Sequence, residues 1–162
     1  MNLQRPDFAV DAMLGNLAKK LRVIGYNAKY SSYIEDEELI ELARKENRIV
    51  LTKDELLTKN AEKTGNKSVL IRGNDEIEQI IQVKKAMGLA NFVMDTNFSR
   101  CVSCNGKLQL IDKSGIANKI PKGVFEKQNQ FWICDICKKI YWEGTHFEKL
   151  QEFVAKLNER MK

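Results

Sequence analysis

The chain has 162 residues, 43% of them hydrophobic and 30% charged, enough to bury a core in one domain or one domain with a small appendage. Its formal net charge of +5 is unevenly placed: residues 1–100 carry 16 Lys+Arg against 15 Asp+Glu, and residues 101–162 carry 11 against 7. That bias suits a polyanionic partner for the C-terminal part, while the lack of any apolar run near ~18 residues excludes a bilayer-spanning helix.

In chain order, the opening segment MNLQRPDFAV lacks a charged-then-apolar signal pattern, so a cytoplasmic protein is expected. Phe8-Ala9-Val10 reads as a strand that runs straight into Asp11. Leu14, Leu17, Ala18, Leu21 and Ile24 then recur at helical spacing, with Lys19, Lys20 and Arg22 mostly off that face and Gly25 as the C-cap. Asn27 to Tyr30 is a short second strand. The segment EDEELIELARKENR follows as a helix, with Asp36 at the N-cap and Leu39, Leu42 and Ala43 on its apolar face.

Arg48 to Thr52, RIVLT, is nearly continuous in its apolar residues, as in a strand buried on both faces of a parallel sheet. A helix over Asp54 to Lys63 comes next, then a strand over Ser68 to Arg72. A further helix places Ile77, Ile80, Ile81 and Met87 inward. Such alternation predicts an α/β fold, a parallel sheet flanked by helices. Near Asn97 to Arg100 the pattern changes to short β-like pieces, lone glycines and cysteine pairs, which sets an expected boundary between residues 1–98 and 99–162.

All four cysteines lie beyond that boundary, as CVSC (Cys101, Cys104) and CDIC (Cys134, Cys137), with 29 residues between the pairs. Two Cys-x-x-Cys turns supply the four thiolates that tetrahedral zinc prefers, and with every ligand place filled by protein the Zn²⁺ is structural. Iron in a similar thiolate site, or redox dithiols, are the alternatives. Gly106 suits the first turn; the second has Lys138 and Lys139, whose charge offsets that of a zinc–tetrathiolate centre. FWICDICKKIYW mixes aromatics with lysines, a composition that stacks on unpaired bases, or in which Phe131, Trp132, Tyr141 and Trp142 simply fill a small core; at least one exposed aromatic is expected. His146, the only histidine, is a nucleic-acid contact or a plain surface residue.

In open parallel sheets the site lies beyond the carboxyl ends of the strands, where Asp11 and Asp54 fall, with Asp36 near the same edge. Crowded carboxylates need protons or a hard cation, for which Mg²⁺ or Mn²⁺ with retained water is the natural answer. Taken singly, Asp36 and Asp54 are also explained as helix caps. A single histidine excludes a two-histidine acid–base ribonuclease, no P-loop sequence occurs, and DAM lacks the second aspartate of an aspartyl-phosphatase pair.

Together, VDAMLGNLAKKLRVIGYNAKY, EDEELIELA, RIVLTKD, SRCVSCNGKL and CKKIYWEGTH resemble a PIN-like family named for the RNase-like C-terminal domain of the mutator-seven exonuclease. The resemblance covers nearly the whole chain. It implies a compact PIN-like α/β nuclease domain (1–98) followed by a small zinc ribbon with a C-terminal helix (99–162). It also implies a Mg²⁺- or Mn²⁺-dependent ribonuclease with Asp11, Asp36 and Asp54 as acidic metal-holding positions and Asp75, or else Glu38, as a fourth. The family's aspartate after Gly-Tyr is replaced here by Asn27. RNA is the implied partner, with Arg22, Lys53, Lys138, Lys139, Trp142 and His146 as candidate contacts. The alternative is a non-catalytic RNA-binding module on a degenerate PIN-like fold.

Overall fold

The computed structural model describes residues 5–92 and 98–162. The expected boundary at 98/99 adjoins residues 93–97, which lie outside the described residues. The chain forms two compact units, one of Met1–Arg22 with Tyr26–Asn91 and one of Val23–Gly25 with Phe92–Lys162.

In the first unit the two apolar runs become β1 (Phe8–Val10) and β3 (Ile49–Thr52), buried along their whole length. With β2 (Ala28–Tyr30) and β4 (Ser68–Leu70) they build a parallel sheet in the order β2-β1-β3-β4. Four helices alternate with these strands: α1 (Gly15–Val23), α2 (Asp36–Glu46), α3 (Glu55–Lys63) and α4 (Glu76–Met87). A single 3₁₀ turn, Ala12–Leu14, leads into α1.

Side chains alternate across a pleated strand, so neighbouring positions serve opposite faces. Ala9 and Val50 pack with Leu39 and Ala43 of α2 and Leu57 and Ala61 of α3. Right-handed crossovers then put α1 over the other face. Its stripe of Leu14, Leu17, Ala18, Leu21 and Ile24 is buried as expected, each fully buried leucine contributing about 1.5–3 kcal/mol. Because β1 connects towards β2 while β3 connects towards β4, the strand order reverses between β1 and β3. Ligands of open α/β sheets bind in the crevice at such a reversal.

Three expectations need correction here. Asp36 is not the N-cap of α2: Glu35 occupies that place and Asp36 is the first helical residue. Arg22 is 4% exposed, and its Nε donates to the Ala28 carbonyl at 2.9 Å, tying α1 to β2. On α4 the buried stripe is Gln79, Ile80 and Val83, with Ile77, Ile81 and Met87 only half-buried, because the helix leans one position further round than its isoleucines suggest.

The second unit is a three-stranded antiparallel sheet, β5-β6-β7, made of Leu108–Ile111, Phe131–Cys134 and Ile140–Tyr141. A short helix, α5 (Lys122–Lys127), lies in the long β5–β6 connection, and α6 (Thr145–Arg160) closes the chain. Phe131, Trp132, Ile116, Val154 and Leu157 form its buried interior. The aromatic run is therefore used mainly inside: Phe131 and Trp132 are buried, and Tyr141 and Trp142 are half-buried rather than exposed.

Candidate functional site

Asp11 follows β1 and Asp54 follows β3, the two strands that flank the reversal. The β1–β3 register continues one step past Val10↔Leu51, because Asp11 N–H donates to the Leu51 carbonyl at 2.9 Å. That step sets Asp11 beside Thr52. Thr52 Oγ1 donates to Asp11 Oδ2 at 2.7 Å and accepts from the Asp54 N–H at 3.0 Å, so one buried hydroxyl spans both acidic segments. Asp11 is 5% exposed, and its Oδ1 accepts from the Ala12 N–H at 2.7 Å. Asp54 caps α3 through Oδ1 alone, accepting from Leu56 and Leu57 N–H at 2.8 and 3.3 Å.

Asp36 enters the same field from α2. Asp36 is exposed, yet partial desolvation by the surrounding protein raises its pKa above the ordinary aspartate value, and the carboxylates of Asp11, Asp54 and Glu35 raise it further. None of Asp11, Asp36 and Asp54 pairs with a Lys or Arg among the described residues. Three carboxylates gathered at one edge with no ion pair among the described residues are an electrostatic cost to the bare protein. The donor set is all oxygen, the kind that hard divalent cations take. Their ligand atoms are not drawn into one tight shell, since among the described residues only the cysteines have such atoms all within 4.8 Å of one another.

The other candidate acids behave differently. Asp75 caps α4, accepting from the Glu78 N–H at 2.8 Å, at the end of the sheet's edge strand, and it is absent from the carboxylates that act on Asp36. Glu38 lies exposed in the first turn of α2. Asn27 precedes β2, at the opposite end of the sheet, where its Oδ1 accepts from Arg48 Nη1 at 2.7 Å. Lys53 is exposed between Thr52 and Asp54. Sequence reasoning missed Thr52, although a polar residue closing an otherwise apolar buried strand was a signal for it.

In the second unit Cys101, Cys104, Cys134 and Cys137 converge. Cys101 Sγ lies 3.6 Å from Cys137 Sγ, and Cys104 Sγ lies 3.3 Å from Cys134 Sγ. Zn–S bonds of about 2.3 Å in a tetrahedron put sulfurs roughly 3.8 Å apart, so the cluster fits zinc with little adjustment. Both turns share one backbone device: Asn105 N–H donates to the Cys101 carbonyl at 2.8 Å, and Lys138 N–H to the Cys134 carbonyl at 3.1 Å. Asn105 and Lys138 accordingly take left-handed φ values of 72° and 65°. A Cβ on Gly106 would stand 2.5 Å from Cys134 Sγ, so only glycine lets the first turn close on the sulfurs. Burial pushes the Cys104 thiol up to about 12, a cost that ligation to a cation removes.

Around this centre Lys138 Nζ donates to the Asp135 carbonyl at 2.9 Å, and Lys139 Nζ lies 5.4 Å from the Tyr141 ring centroid. Trp142 meets Phe131 edge-on at 6.4 Å, and His146 is exposed in the first turn of α6, away from the ligand set.

A family model described as the Mut7-C RNAse domain matches residues 6–154 of the chain. No curated protein and no solved structure matches it. Among the described residues no helix is long and apolar enough to cross a membrane.

Proposed function

The chain belongs to the Mut7-C RNAse domain family, and on that premise we propose that it hydrolyses RNA phosphodiester bonds at Asp11, Asp36 and Asp54 with Mg²⁺ or Mn²⁺. The observation that carries the reading is the unneutralised state of Asp36, whose carboxyl feels Asp11 and Asp54 and has no basic partner among the described residues. A divalent cation bound there supplies an acidified water and offsets charge building on the phosphate oxygens.

The chain's own part is to hold the acids. Asp11 is fixed from two sides, by Thr52 and by the Ala12 N–H, and so gives a rigid anchor. Asp54 spends one oxygen on α3 and keeps Oδ2 for the site. Asp36, freed from any capping duty, completes the edge from α2. Ligand atoms that do not all lie within 4.8 Å of one another suit an ion that keeps several waters, as Mg²⁺ does. Lys53 attracts the phosphate backbone at the same edge. Asp75 and Arg22 have structural duties and are left out of this site.

In this reading the two units act as separate domains. The four cysteines hold structural zinc, and Lys138, Lys139, Trp142 and His146 help to grip RNA. A second reading, RNA binding without chemistry, draws on the same wide carboxylate spacing. Cleavage of a labelled RNA with Mn²⁺ separates the two. Asp11→Asn and Asp54→Asn should each lower the rate at least a hundredfold, and equal residual activity in all three proteins assigns the cleavage to a contaminant.

A further inference from the structure

The second unit holds a cavity of about 370 Å³, within the size range of small-molecule sites, that the acid-edge chemistry does not use. Leu108, Trp132, Trp142 and Phe147 are among its walls. Arg100, Lys139 and His146 stand in the same lining, which among the described residues includes no carboxylate. We propose that this cavity is a nucleobase pocket, which takes one unpaired base of single-stranded RNA while Arg100 and Lys139 meet the flanking phosphates.

The assignment rests on RNA being the substrate, and it follows from the joint chemistry of the wall. A base has a flat apolar face for Trp142 and Phe147, and an edge of ring nitrogens and carbonyl oxygens for the basic side chains of the rim. An apolar peptide side chain fills the volume equally well but gains nothing from the basic rim of Arg100, Lys139 and His146. Base pairing hides the edges and faces that such a pocket reads, so a duplex is excluded from it.

The test uses the full zinc-loaded chain without added Mg²⁺ or Mn²⁺. Affinity for octauridylate is compared with that for an abasic oligomer of the same length, followed by tryptophan fluorescence. The intact oligomer should bind at least tenfold tighter, the scale of one stacked base. Trp142→Leu should lose about tenfold, and Lys139→Gln, at an exposed position, should lose severalfold without a fall in Tm, a combination that a purely packing role does not produce. Equal affinity for both oligomers, or unchanged affinity in Lys139→Gln and Trp142→Leu, overturns the pocket. Failure to bind either oligomer overturns it too, and turns the surface over to a protein partner. Cleavage with Mn²⁺ is scored separately: cleavage without base discrimination sinks only the pocket, and base discrimination without cleavage sinks only the ribonuclease reading.

Discussion

Thr52 Oγ1 donates to Asp11 Oδ2 at 2.7 Å across the β1–β3 register, and neither residue is more than 5% exposed. The bond joins the ends of the two strands at the sheet's reversal, and the same hydroxyl accepts from the Asp54 N–H. Thr52→Val keeps the shape and removes the donor. The buried Asp11 oxygen is then left short of a partner, a loss of about 1–3 kcal/mol in denaturant unfolding. Cleavage should fall with it, and Thr52→Ser should restore both; a Thr52→Val protein as stable as wild type would remove Thr52 from this role.

Asp36 sets a pH dependence whose sign is fixed by its raised pKa. A carboxyl raised in the folded state stabilises the protein below its unfolded pKa of about 3.9, and that contribution is lost as pH rises through the folded value. In chelator at pH 7, Asp36→Asn should therefore raise Tm slightly, and near pH 3 the difference should vanish. Added Mn²⁺ should reverse the order by stabilising the wild type more. A lower Tm for Asp36→Asn in chelator at pH 7 contradicts the repulsion described here.

Removal of the cysteine-bound metal should act on one unit only. Four converging sulfurs, with Gly106 pressed between them, leave the small antiparallel sheet dependent on its ion. Strong chelation or Cys134→Ser should therefore expose amides beyond about residue 100 to rapid hydrogen exchange. The parallel sheet, with its own buried core, should stay protected. Uniform loss or uniform retention of protection across both units argues against this division.

Asn27 yields the opposite kind of expectation. It serves Arg48 at the amino end of the sheet, while the acids occupy the carboxyl end. Asn27→Asp strengthens that bond by adding charge, so stability should rise by up to about 1 kcal/mol with the cleavage rate unchanged. A tenfold change in rate would bring this position into the site after all.

Local pattern determined most of the fold. Strand and helix order, the buried stripe of α1 and the cysteine turns all follow from periodicity and spacing, signals that a few neighbouring residues carry by themselves. Pattern could not tell which residues of a run bear each duty. Asp36 has the sequence signature of a cap, yet Glu35 takes that position; Arg22 looks solvated, yet it is spent inside on a carbonyl. Thr52 resembles the end of a strand until the parallel register sets its hydroxyl against Asp11. Such facts depend on which distant segments become neighbours. Only the closed sheet decides that, because hydrogen bonds and carboxylate repulsion act over a few ångströms in space, whatever the separation along the chain.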